Sequence, residues 1–280
     1  MFSKIYRFYT FLGILLLLGS CNEYQKALKG VDVKAKYTMA QKLYEEEDFK
    51  RANKLLEQIA PKYVGKPQGE RVMFFLANSF YEIGDYNFSG YQYERFLKSY
   101  PRSDKAAEAA FRGAKSYYML SPRYSLDQTD TDKALIKLQN FINAYPESQF
   151  LPEANAMAKE LTTKKEEKEF EIAKQFTKLG KSYILDYNIS AIASLENFIS
   201  DHPGSVFREE AFYLKLQAAT NLAMNSTDLK KKERLDDAKS AYKLLMKSYP
   251  ESKFSDKAAD LAKMLEKELN GHEQTENISK

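Results

Sequence analysis

One segment recurs along this chain of 280 residues, and the recurrence constrains the fold more than any other feature. The clearest copies read SGYQYERFLKSYPRS, ALIKLQNFINAYPES, AIASLENFISDHPGS and AKSAYKLLMKSYPES. They begin on a small residue, at Ser89, Ala134, Ala191 and Ala238. Each reaches a proline in the same register, at Pro101, Pro146, Pro203 and Pro250. An aromatic ring precedes the proline in Tyr100, Tyr145 and Tyr249, with His202 in its place in the third of these copies. A serine follows at Ser103, Ser148, Ser205 and Ser252, and an alanine further on at Ala109, Ala154, Ala211 and Ala258. A degenerate first copy runs from Ala52 to Tyr63, with Val64 where the proline would be.

Within a copy the apolar residues fall at helical spacing, for example Leu138, Phe141, Ile142 and Tyr145. Proline ends that helix, because it has no N–H and pushes the residue before it out of the helical region. The serine, or Asp104 beside it, can cap the next helix. A further amphipathic helix precedes each small residue and closes in a turn such as Glu82–Tyr86. Helix, turn, helix, proline is the pattern of the tetratricopeptide unit. The copies are spaced by 37, 45, 57 and 47 residues, all longer than the ideal of about 34. The longest spacing contains TTKKEEKEFEIAKQ, read as one long helix or two in near-continuity. The expected fold is therefore all-α, a tetratricopeptide-like solenoid of five helix pairs in two lobes joined by a long helix.

The front end carries a different signal. Lys4 and Arg7 precede an apolar stretch from Phe8 to Leu18, about half of what spans a bilayer. Gly19 and Ser20 then lead to Cys21, the chain's single cysteine. This string resembles the lipobox of bacterial lipoproteins, in which the cysteine is acylated and becomes the mature N-terminus. The competing reading is an ordinary signal peptide with a chance cysteine. Acyl chains would anchor the protein stably, at about 0.8 kcal/mol per buried methylene. Asn22 after the cysteine fits onward sorting to the outer membrane. The expected organisation is a signal peptide over 1–20, a lipidated connector over 21–31 and an N-terminal lobe over 32–150 with repeats one to three. A long helix with a C-terminal lobe, holding repeats four and five and a capping helix, follows over 151–270, then a flexible tail over 271–280.

Composition argues against an enzyme. Two histidines, His202 and His272, and one cysteine leave little for a metal site or a nucleophile–base pair, so no metal and no cofactor are expected. No phosphate-binding, dinucleotide-binding, nucleophile-elbow or zinc-protease motif occurs. The repeats leave no room for a hydrolase domain, and the absence of Trp argues against a glycan-binding platform. A net charge of +4, evenly interspersed, does not point to nucleic acid. Asp127, Asp130 and Asp132 lack the spacing of a calcium loop and read as a capped polar loop. The run 230–234 reads as a solvated inter-helix segment, and His202 as a packing residue.

Taken together, the lipobox, the repeats, the segment SYYMLSPRYSLDQTDTDKA and the long Lys/Glu helix resemble the BamD family of outer-membrane protein assembly lipoproteins. That resemblance implies a lipid-anchored component facing the periplasm. Its implied partners are the central barrel protein of the assembly machine, that machine's other lipoproteins, and unfolded outer-membrane proteins. The rival is an envelope repeat lipoprotein that scaffolds peptidoglycan or cell-division factors.

First helices of such units line the inner wall and present residues at i, i+4, i+7. Three triplets follow from the repeat register: Tyr37/Gln41/Tyr44, Phe74/Asn78/Tyr81 and Ala110/Ala114/Tyr117, with Arg71 one turn before the second. An aromatic wall with amides and an arginine suits an extended peptide, and the two alanines would open its floor. The same rings could instead pack between helices as core. Arg208, standing where other copies have Ala106, Leu151 and Ser255, is a candidate exposed docking contact.

Overall fold

The computed structural model describes residues 23–181 and 184–278, with side chains as far as His272. The signal segment and Cys21 lie outside the described residues. Among those described there is no strand. Helices α1 (Val33–Glu45) and α2 (Phe49–Tyr63) form the first pair, α3 (Gly69–Glu82) and α4 (Tyr86–Ser99) the second, and α5 (Ala106–Leu120) and α6 (Thr129–Ala144) the third. The fourth and fifth are α7 (Leu151–Leu179) with α8 (Asp186–Asp201) and α9 (Arg208–Met224) with α10 (Asp228–Ser248), and α11 (Ser255–Ile278) closes the series. This is the all-α, tetratricopeptide-like stack of helix pairs that the repeat register predicts.

The conserved geometry of the repeat lies at its proline. Tyr100, Tyr145, His202 and Tyr249 leave their helices with nearly the same backbone, φ between −121° and −139° and ψ between 59° and 77°. That takes each residue out of the helical region, which a following proline disfavours. Each then accepts from the backbone N–H of its serine at 3.1 Å. The serine hydroxyls in turn accept from the N–H two residues on, at Lys105, Phe150, Phe207 and Phe254, over 2.9–3.3 Å. One backbone donor at the entry to each next helix is thus met by the repeat's own serine hydroxyl.

The signature small residues explain the packing. Ala52, Ser89, Ala134, Ala191 and Ala238 are fully buried, and so are Ala109, Ala154, Ala211 and Ala258. At each of them a larger side chain would push neighbouring helices apart. The turns that close the first two pairs match as well: Glu47 and Gly84 both take positive φ, 59° and 85°. Asp48 and Asp85 then cap α2 and α4 by accepting from Arg51 N and Phe88 N.

Two compact units emerge. The first takes in residues to Pro122 and Asp127–Leu161, and the second takes in Arg123–Leu126 and residues from Thr162 on. The Lys/Glu-rich run is one helix, α7, of 29 residues and roughly 44 Å. Its first part contributes Ala154, Met157 and Leu161 to the core around Phe111, Leu138 and Phe141. Its second part contributes Phe170 and Ala173 to the core around Leu195, Phe198 and Leu216. Heptad-like spacing within each half gives the helix one apolar stripe per unit.

Three further stretches are helical. The connector is helical over 23–29, and Tyr24 is buried in the first core with the Arg51 guanidinium 5.5 Å from its ring centre. The run at 230–234 is the first turns of α10. There Lys231 is nearly buried, because its ammonium donates to Met224 O at 2.8 Å and pairs with Glu268 at 2.6 Å. The polar C-terminal stretch continues α11 as helix to Ile278.

Candidate functional site

Helices α1, α3 and α5, the first helices of the first unit's repeats, are tied together by one buried amide. Asn78 is 6% exposed. Its Nδ2 donates to the Tyr44 hydroxyl at 2.7 Å, and its Oδ1 accepts from Arg112 Nη1 at 2.8 Å and from Tyr93 Oη at 3.2 Å. Arg112 also donates through Nε to Glu108 at 2.9 Å, and Glu82 lies 3.9 Å away. Burial holds the Tyr93 phenol well above its ordinary pKa, and it raises Tyr44 against the opposing bond from Asn78. Glu108 is pushed up by burial, but the bonds from Lys105 and Arg112 outweigh that and hold its carboxyl below the usual range.

Above this network sits an aromatic layer. The Tyr44 and Phe75 rings stack at 3.9 Å with planes 6° apart, and the exposed Arg71 guanidinium lies 6.0 Å from the Phe75 ring centre. Both rings are half-buried against the first core and Tyr44 also meets Phe49 edge-on at 5.3 Å, so the layer's exposed group is the Arg71 guanidinium. The layer contains no nucleophile–base pair.

Of the expected groove residues, the structure brings together Tyr44, Asn78 and Arg71. Phe74 is corrected: it is 8% exposed and packs edge-on against Tyr93 and Phe96, inside the core between α3 and α4. Tyr37 turns toward α2 and meets Tyr63 at 5.4 Å. Gln41 bonds Glu45 along its own helix, and Tyr81 packs edge-on against Tyr86.

The third triplet lies elsewhere. Ala110, Ala114 and Tyr117 line a cavity of about 340 Å³ between α4 and α6, whose other walls include Leu97, Lys137 and Phe141. Tyr117 packs over Gly90 and donates to Glu94 at 2.9 Å, while Lys137 bridges to the same carboxylate at 2.7 Å. The small residues do open a groove floor, but on the side of the second helices. The residue of α5 that reaches Asn78 is Arg112, held by Glu108, and the two stand two positions before Ala114 and Ala110, about 200° around the helix. Their i, i+4 opposite charges were the available signal, as was Phe75 one turn from Arg71.

A profile of the outer membrane lipoprotein family YfiO matches residues 30–185 and 181–276. The chain belongs to that family. A comparison with curated proteins finds no match. Among solved structures, a computationally designed self-assembling cyclic homo-oligomer aligns with 95% of this chain and 96% of its own, at 14% identity and a TM-score of 0.25.

As a YfiO-family outer membrane lipoprotein, the chain has no helix among its described residues long and apolar enough to cross a membrane. The remaining sequence-derived residues have internal roles. Arg208 is corrected from an exposed contact: half-buried, it lies 5.0 Å over the Phe212 ring and donates to Ile199 O at 3.3 Å and to Tyr249 Oη at 3.4 Å. It serves the end of α8, whose last carbonyls lack helical donors. His202 tilts over Phe198 and pairs with Glu169 at 2.7 Å. Asp127 accepts from Thr129 N and Asp130 pairs with Lys133. No group of three or more His, Cys, Asp or Glu among the described residues is placed to hold a metal.

Proposed function

We propose that this YfiO-family lipoprotein is a periplasm-facing scaffold, anchored through Cys21, that takes part in folding and inserting β-barrel outer-membrane proteins. It docks on the central barrel protein of the assembly machine, beside that machine's other lipoproteins, and receives unfolded substrate segments on the Tyr44–Phe75–Arg71 face. The observation that carries this reading is the match to the outer membrane lipoprotein family along both stretches of the repeat region. An all-helical stack of pairs, with a stacked aromatic pair beside the exposed Arg71, supports a scaffold.

The test is affinity isolation of the lipidated chain from gently solubilised envelopes, followed by identification of what co-purifies. A large outer-membrane barrel protein at near-equal stoichiometry is expected, and Cys21→Ala should leave the chain in the soluble fraction. Peptidoglycan synthases or division proteins in place of the barrel protein would overturn the reading in favour of an envelope scaffold of another kind. For the face, Phe75→Ala with Arg71→Ala should weaken binding of a denatured barrel-protein segment at least tenfold while helicity is retained.

A further inference from the structure

In the first unit the Tyr117 ring lies against Gly90 and its hydroxyl donates to Glu94 at 2.9 Å. Lys137 stands 5.3 Å from the ring centre and bridges to the same carboxylate at 2.7 Å. That space between α4, α5 and α6 is filled by the chain itself. In the repeat register the matching helices of the second unit are α8, α9 and α10. There Ile192 stands for Gly90, Ala219 for Tyr117 and Ala241 for Lys137, while Glu196 keeps the carboxylate of Glu94. Ring and lysine are both cut back to alanine. Ile192 returns only part of the volume, and a cavity of about 410 Å³ remains, lined by Ile192, Ala219, Leu222, Ala241 and Leu244.

The polar groups of this cavity divide by depth. Lys215, with a side chain 16% exposed, pairs with Glu196 at 2.6 Å. Half-buried Arg234 donates to Ser226 Oγ at 2.8 Å, and Ser240 returns its hydroxyl to Asp236 O at 2.9 Å. Both cations are therefore recessed and engaged. The lining charges that reach solvent are carboxylates: the Glu196 side chain is 54% exposed, and exposed Asp237 has no ion-pair partner among the described residues. Glu94 takes two donors, a phenol and an ammonium, whereas Glu196 takes one and keeps acceptor capacity.

We propose that this cavity docks a polypeptide partner through a tyrosine flanked by a lysine or arginine. The partner supplies from outside what Tyr117 and Lys137 supply within the first unit. Its ring lies on Ala219 and Ala241 between Ile192 and the half-exposed Leu244, and its phenol donates to Glu196. Its cation meets Asp237, so the charge of the rim selects a basic segment over an acidic one. The site lies within the second unit and is independent of the Tyr44–Phe75–Arg71 face, so either can fail without the other.

The experiment uses the full chain in detergent, with isotope-labelled isoleucine and leucine methyl groups observed by NMR. Three capped dipeptides serve as probes: tyrosyl-lysine, tyrosyl-glutamate and alanyl-lysine. Tyrosyl-lysine should shift the Ile192, Leu222 and Leu244 methyls together and saturably. It should bind about tenfold more tightly than alanyl-lysine, which has no ring to bury. Its advantage over tyrosyl-glutamate should be about fivefold, the scale of one exposed ion pair. Asp237→Asn, at an exposed position, should fold and erase the second advantage while keeping the first. Ile192→Gly with Ala219→Tyr transplants the first unit's own pair and should abolish binding; should that variant not fold, Asp237→Asn still decides. Equal affinity for alanyl-lysine, a lysine preference that survives Asp237→Asn, or no saturable shift at these methyls would each overturn the assignment.

Discussion

Asn188 lies directly against the backbone of Gly180. Its Nδ2 donates to the Gly180 carbonyl at 2.8 Å, and a Cβ added to Gly180 would stand 2.3 Å from its Oδ1. The end of α7, the start of α8 and Asn221 of α9 are thereby closed around one carbonyl. In an ordinary helix end, Gly→Ala stabilises by relieving chain entropy. Here Gly180→Ala should destabilise the second unit by about 1–3 kcal/mol through forced overpacking. Adding Asn188→Ala should recover part of that loss in urea unfolding, and additive losses would show that the two positions are not in contact.

The Asn78 network makes a prediction of opposite chemistry. Asn78→Leu keeps the volume but strands the fully buried Tyr93 hydroxyl and removes an acceptor from Arg112. A loss of about 1–3 kcal/mol is expected. In the Tyr93→Phe background the same substitution should cost less, since one stranded group is gone. Chemical denaturation of the four proteins measures the coupling.

Glu47 occupies a left-handed turn position, φ 59°, that the second repeat fills with Gly84 at φ 85°. A side chain there costs roughly 1–2 kcal/mol, and glycine gives back part of the gain through unfolded-chain entropy. Glu47→Gly should therefore raise stability by about 0.5–1 kcal/mol, whereas Gly84→Ala should lower it. Thermal midpoints of the two variants should move in opposite directions.

Tyr117 and Tyr118 have phenols pushed up to about 12, by burial first and then by hydrogen bonds to Glu94 and Glu160. Because the folded state holds these protons more tightly than the unfolded chain, their stabilisation is complete below about pH 10 and is lost as pH rises toward 12. Ultraviolet titration of Glu94→Gln should show one tyrosine ionising earlier than in the unaltered chain. An unchanged titration would mean that Glu94 does not act on Tyr117.

The aromatic face was half legible. Tyr44, Asn78 and Arg71 follow from counting along α1 and α3, but the count slips on α5, where Ala110 and Ala114 face the second helices and Arg112 faces Asn78. A helix rotates about 100° per residue, so a small shift in how two helices meet exchanges wall for core. Phe74 and Phe75 illustrate this: adjacent in sequence, one is core and the other stacks on Tyr44. Nothing in the local composition separates them.

What the sequence alone determined is what repeats: the proline stop, the serine that caps after it, and the small residues that let helices close. Those are local rules of backbone conformation and sterics, fulfilled within a few residues of where they are written. Only the tertiary structure decided which groups are satisfied. Arg208 finds Tyr249 across 41 residues, Asn78 finds Tyr44 across 34, and Thr220 finds no partner within the protein. Hydrogen bonding between elements depends on how helices rotate and approach when cores close, and that is set by packing across the whole unit.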